Sequence, residues 1–215
     1  MPGPTTYDVR DDSTAGVTAA VAALRRGDLA VIPTDTVYGI AADAFSPPAI
    51  ERLLAAKGRG RDMPVPVLVG SWRGLDGLAD HVTPTMRSLV EAFWPGPLTL
   101  IVRAAGSLAW DLGETRGTVA VRMPLHPVAL AVLAETGPLG VSSANRTGMP
   151  AATDAAQAYE QLGSSVAVYL EAGSSGEAVP STIVDLTGAT PQVRRAGALT
   201  LEELQAVIPE IEGPR

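Results

Sequence analysis

Short, nearly uninterrupted apolar runs alternate along this chain with helix-like segments, and the joins between them are brief. Residues 29–32, 65–69, 98–102, 118–122, 139–142, 166–170 and 182–186 read as strands, with 39–44 another after a turn. A strand apolar at nearly every position has both faces buried, so these runs predict a sheet covered on both sides by helices. Alternation with helices over short connections predicts one α/β domain spanning 1–215.

The helices are announced by their ends. Ser13 or Thr14 caps a helix over 14–26 that Gly27 stops. Ser46-Pro47 and Thr83-Pro84 each place a cap before a proline suited to the first helical turn, predicting helices to about 56 and to 93. Trp94-Pro-Gly-Pro97 breaks the second of these. Residues 127–135 and 153–162 follow the same logic, and Thr200 with Glu203 forms a capping box for a last helix. Gly173-Ser-Ser-Gly176 reads as a mobile loop.

Composition narrows the chemistry. With 46% hydrophobic but only 4% aromatic residues, the core is aliphatic. The chain has no cysteine, which excludes disulfides, thiolate nucleophiles and Cys-ligated metal sites. Its two histidines, His81 and His126, are too few for a histidine-rich metal centre. The net charge of −7 disfavours a broad nucleic-acid face, but leaves room for a local cation cluster facing a small anion. The first residues lack a basic-then-apolar signal, and no apolar run is long enough for a membrane span. A cytoplasmic protein without membrane contact is expected.

Two residues occur once each: Lys57 among 16 cationic residues, and Asn145. Lys57-Gly-Arg-Gly-Arg61 interleaves three cations with glycines after a helix, a pattern that can clamp a polyphosphate, although a solvated turn uses the same residues. Ser142-Ser-Ala-Asn-Arg-Thr-Gly148 follows a buried strand and offers hydroxyls and an amide. Pro33-Thr-Asp-Thr-Val-Tyr-Gly39 places hydroxyls after a strand, where open α/β sheets bind ligands. Arg122 ends a strand and suits a carboxylate or a structural ion pair. Ser181-Thr182 and Arg194-Arg195 complete the set of polar strand ends.

Together these strings resemble the YrdC/TsaC family, the L-threonylcarbamoyladenylate synthases. The pieces come in family order over about 28–199: Pro33-Thr-Asp-Thr-Val-Tyr-Gly39, Lys57-x-Arg59, Trp94-Pro-Gly-Pro-Leu-Thr99, Val121-Arg-x-Pro124, Ser143-Ala-Asn145 with Gly148, Pro180-Ser-Thr-Ile-Val-Asp185 and Arg195-x-Gly197. The resemblance implies a three-layer α/β domain around a twisted mixed parallel and antiparallel sheet with a large concave cavity. It also implies a nucleotidyltransferase that converts L-threonine, bicarbonate (or carbon dioxide) and ATP, with Mg²⁺, to threonylcarbamoyl-AMP and pyrophosphate. Other proteins then use the intermediate to modify tRNA to N6-threonylcarbamoyladenosine, so tRNA is an indirect partner.

By this resemblance Lys57, Arg59 and Arg195 hold phosphates, with Arg61 beside them. Thr118, Ser143 and Asn145 contact the nucleotide, while Thr34, Arg122 and Ser181 hold threonine, Arg122 facing its carboxylate. No residue is assigned to a resident metal. The sequence departs from the family at Gly60, where a proline is usual, and at Leu68, where a histidine is usual. It looks like the single-domain form. Two other readings are a double-stranded RNA-binding or ribosome-maturation module and a carbamoyl-adenylate transferase with another acceptor.

Overall fold

The computed structural model describes residues 3–177 and 179–214; residues 1, 2, 178 and 215 of the expected domain lie outside them. In chain order its elements are β1 (Thr5–Asp8), α1 (Thr14–Arg25), β2 (Ala30–Ile32), β3 (Gly39–Asp43), α2 (Pro47–Lys57), β4 (Val67–Leu68) and α3 (Gly74–Leu78). Next come α4 (Pro84–Phe93), β5 (Leu98–Arg103), β6 (Thr118–Arg122), α5 (Pro127–Thr136) and β7 (Leu139–Ser143). The last are α6 (Ala155–Leu162), β8 (Val168–Glu171), β9 (Thr182–Asp185), β10 (Gln192–Arg195) and α7 (Leu201–Val207).

The strands form one mixed sheet of ten, ordered β1-β8-β2-β3-β7-β4-β6-β5-β9-β10. The β1–β8, β2–β8, β4–β6 and β5–β9 pairs are parallel, and the others antiparallel.

Side chains alternate between sheet faces, and here the two faces are covered unequally. On one face, Val31, Ile40, Val67, Leu100, Val121 and Val184 join the core made with α2, α3, α4, α6 and α7. On the other, Ala30, Ile32, Ala41, Leu139, Val168 and Leu170 pack under α1 and α5. That second helical layer reaches only as far as Val141 of β7 and Leu68 of β4. From there to β10 the same face is open and concave. The expected cover on both sides therefore holds for half of the sheet and fails for the other half, because two helices are too few to roof ten strands.

The ends of the helices follow their signals in part. Thr83 Oγ1 accepts the Met86 N–H, His126 Nδ1 accepts that of Val128 at the start of α5, and Thr200 and Glu203 form the capping box. Ser13 and Ser46 occupy cap positions without capping through their side chains; the Thr14 N–H goes to Asp12 instead. Gly27 ends α1 with φ 81°, a conformation that favours glycine. The Gly173–Gly176 segment, read as mobile, is tied to the wall of the fold. Gly173 O accepts from Tyr38 Oη at 2.7 Å, and the Ser175 N–H bonds Thr153 O at 2.8 Å.

Candidate active site

The open face holds a cavity of about 430 Å³. Its floor is one row of alternate strand residues: Val141 and Ser143 from β7, Leu68 from β4, Ala120 and Arg122 from β6, Thr99 and Ile101 from β5, Ile183 from β9, and Arg195 from β10. Register brings them together. Leu68 lies opposite Arg122, Thr99 opposite Ile183, and Ile183 opposite Arg195. The walls are the loops after β2 (Thr34, Thr36, Tyr38), after α2 (Arg59, Pro64) and before β9 (Pro180, Ser181).

Arg122 is the most constrained polar group of the floor, its side chain only 7% exposed. Its Nε donates to Gly96 O at 2.9 Å, Nη1 to Thr36 Oγ1 at 2.8 Å, and Nη2 to Asp35 Oδ1 at 2.6 Å. Burial pushes its pKa down and Asp35 opposes this, yet a guanidinium keeps its charge in a protein. Among the described residues Nη1 and Nη2 each have one hydrogen-bond partner, which leaves the second N–H of each to a ligand. Beside it, Thr34 Oγ1 donates to Val37 O at 2.6 Å and lies 3.1 Å from Thr36 Oγ1.

Arg195 grips the start of β9. Its Nε and Nη2 donate to Ser181 O, and Nη2 also to Ser181 Oγ at 3.0 Å. Ser181 Oγ in turn lies 2.8 Å from Thr99 Oγ1. Burial, and then the nearby Arg122 charge, hold the Arg195 pKa below its ordinary value. Across the cavity, Arg59 bonds Met63 O, Pro64 O and Ser142 Oγ, and burial lowers its pKa too. Three arginines thus face one concavity whose described lining carries no carboxylate. In a protein of net charge −7, this concentrates positive potential where a small anion can enter.

Lys57 stands behind this wall. As the last residue of α2, it sends Nζ to Ser143 O and, at 2.7 Å, to Asn145 O. Its own carbonyl accepts the Thr147 N–H at 2.8 Å. The Asn145 amide donates to Arg146 O and Met149 O. Lys57 and Asn145 therefore brace the loop that presents Ser143, and neither lines the cavity.

Of the sequence-derived set, Thr34, Arg59, Arg122, Ser143, Ser181 and Arg195 converge on one cavity. Arg61 does not. It pairs with Asp111 at 2.6 Å on the surface, both side chains 40% or more exposed, and so leaves the phosphate group in which it was placed. Thr118 shares the face of Arg122 but sits at the far end of β6, beyond the lining, with Oγ1 on Thr115 O. Thr36, Tyr38, Thr99 and Ser142 also line the cavity. All four lie within strings already singled out, as hydroxyls beside the residues chosen. Leu68, where the resembled family has histidine, faces the cavity as an apolar group.

A mixed α/β sheet left open on one half, with arginines and hydroxyls lining the opening, has the makings of a small-anion site. Comparison with known proteins makes this particular. The family model Sua5_yciO_yrdC, described as "Telomere recombination", matches residues 22–197. A Mycobacterium tuberculosis (H37Rv) protein provisionally named threonylcarbamoyl-AMP synthase is 55% identical over 205 residues, 94% of each chain. The structure of Pyrococcus abyssi Sua5 complexed with L-threonine superposes with a TM-score of 0.93 at 34% identity, covering 97% of this chain and 62% of that one. Escherichia coli YciO shares the fold at 24% identity, with a TM-score of 0.84 over 95% of this chain and all of YciO. The chain belongs to the Sua5/YciO/YrdC family.

Proposed function

We propose that this chain is a threonylcarbamoyl-AMP synthase that joins L-threonine, bicarbonate-derived carbon dioxide and the AMP moiety of ATP, releasing pyrophosphate. The name carried by its Mycobacterium and Pyrococcus relatives and the L-threonine complex of the latter support the product and the amino acid. The observation that carries the reading is the cavity itself: Arg59, Arg122 and Arg195 face one concavity whose described lining carries no carboxylate, with two Arg122 N–H groups open for a ligand carboxylate.

The chemistry needs no protein nucleophile. The neutral threonine amine adds to carbon dioxide and loses a proton, giving a carbamate. A carbamate oxygen then attacks the α-phosphorus of ATP, the bond to the β-phosphate oxygen breaks, and pyrophosphate departs with the electron pair. The protein's contribution is to bring three small reactants together and to offset their negative charge. Arg122 and the hydroxyls of Thr34 and Ser181 take the threonine end. Arg59 and Arg195 flank the phosphates, and the loop braced by Lys57 and Asn145 presents Ser143 to the nucleotide.

Mg²⁺ belongs to this proposal only as the companion of ATP. The described lining offers hydroxyls and arginines but no carboxylate, and among the described residues no group of three acidic, histidine or cysteine side chains gathers as a metal site. These residues do not fit a resident Mg²⁺, which would be held by the triphosphate's own oxygens. Downstream transfer to tRNA by other proteins, in the cytoplasm, completes the reading.

Incubation with ¹³C-bicarbonate, ATP, Mg²⁺ and L-threonine, followed by mass spectrometry, tests the product. Threonylcarbamoyl-AMP carrying the label is expected. An adenylate without the label, or none with a folded protein, contradicts the reading.

A further inference from the structure

Asp35 stands just outside the cavity and bonds both Arg122 on its floor and the turn after β6. Its carboxylate is 14% exposed and does not line the opening. Oδ1 accepts from Arg122 Nη2 at 2.6 Å and from the Leu125 N–H at 2.9 Å. The next residue, Thr36, takes Nη1 of the same guanidinium, and Gly96 O takes Nε. Two segments therefore fix the plane of the fork, the loop after β2 and the 94–97 corner, and the turn after β6 holds the first of them through the Leu125 N–H. Of the three acceptors only Asp35 is charged. A charge-assisted bond is about twice as strong as a neutral one, and a buried guanidinium without a counter-charge is costly.

We infer that Asp35 is a positioning residue for the carboxylate of the amino-acid substrate. It holds Arg122 so that the second N–H of Nη1 and of Nη2 forms the pair presented to the ligand, and its bond to Leu125 locks the end of β6 to the loop that carries Thr34 and Thr36. Guanidinium and hydroxyls then meet the substrate as one rigid unit. This inference rests on the synthase reading above.

The test is threonine-dependent pyrophosphate release by the full chain, comparing wild type with Asp35→Asn, which keeps the shape and removes the charge. L-threoninol, which lacks the carboxylate, is added as a competing ligand. The expected result is a rise of about tenfold in the KM for L-threonine, with the KM for ATP and the inhibition constant of L-threoninol within about twofold of wild type. Should Asp35→Asn fail to melt cooperatively, Asp35→Glu, which displaces the carboxylate by one methylene, carries the same readouts, with a rise of about threefold or more expected. An unchanged threonine KM overturns the positioning role. So does a rise shared equally by threonine, threoninol and ATP, which marks a general structural defect. A wild-type protein with no threonine-dependent release contradicts the synthase reading and takes this inference with it. Wild-type release with an unchanged variant overturns the inference alone.

Discussion

At the scale of single residues, the charged groups divide by what surrounds them. Lys57 is buried against two backbone carbonyls, and burial, with Arg59 nearby, lowers its pKa from 10.5 to about 8. Between those values the unfolded chain binds more protons than the folded one, so stability rises with pH through that window. The rise amounts to about 3 kcal/mol at most, at 1.36 kcal/mol per unit. Above pH of about 10 the trend reverses: burial holds the Tyr38 pKa up at about 12, so unfolded tyrosine ionises first. Lys57→Met is expected to lose the rise between pH 8 and 10 in urea melts; a variant that keeps it shows that Lys57 is not the group responsible. Arg61 makes the opposite case. Its guanidinium is spent on Asp111 at the surface, and such exposed pairs contribute little. Arg61→Ala should leave both the melting temperature and the KM for ATP near wild type. A tenfold rise in that KM would return Arg61 to the site. The sequence pattern placed Arg61 with Lys57 and Arg59 because all three share one short string; its partner lies fifty positions away, beyond any local pattern. Arg59, Arg122, Ser181 and Arg195 were legible because each sits at a strand end or loop start that register gathers onto one face.

At the scale of elements, what the sequence hid was structure without an apolar signature. Thr5–Asp8 is a mostly exposed edge strand, Gln192–Arg195 buries only Val193 deeply, and Gly74–Leu78 is a short helix containing two glycines. None carries the periodicity by which strands and helices are read. The edge strand β10 nonetheless delivers Arg195, and its return into α7 depends on Gly197. A Cβ at Gly197 would lie 2.3 Å from Pro180 O and 2.5 Å from the Ser181 carbonyl carbon. Backbone cannot yield to that contact as a flexible side chain can. Gly197→Ala should therefore push the 180–181 segment off Arg195 and cost about 1–3 kcal/mol of stability, with a raised KM for L-threonine. A variant of wild-type stability and KM would show that the segment adapts freely. The capping box of α7 is a milder element: Thr200→Ala should cost about 1 kcal/mol, which is about 2–4 °C in melting temperature at this size, without touching the site.

At the scale of the whole molecule, the cavity exists because the α1–α5 layer ends partway across a ten-stranded sheet. Local sequence shows each strand's two faces but not where a helical layer stops, so the open half was legible only through family resemblance. The same scale settles the balance of charge. Arginines concentrated in one concavity of a protein of net charge −7 favour small anions over long polyanions. Double-stranded RNA is accordingly expected to bind weakly, if at all, at physiological salt; a tight, steeply salt-dependent complex in a gel-shift titration would point to an RNA-binding surface outside the cavity. Among the described residues no helix is long and apolar enough to cross a membrane.

On the proposed function, one open sheet face gathers an amino-acid carboxylate at Arg122 and phosphates at Arg59 and Arg195 for reaction with each other. Pyrophosphate release from ATP, with bicarbonate and Mg²⁺ present and L-threonine varied, tests it most directly in wild type and Arg122→Ala. Release that requires both threonine and bicarbonate is expected. In Arg122→Ala the threonine requirement is expected to rise about 30-fold or more, as for loss of a buried charge pair, with the KM for ATP little changed. Release indifferent to threonine, or an Arg122→Ala variant that uses threonine as well as wild type, would contradict it.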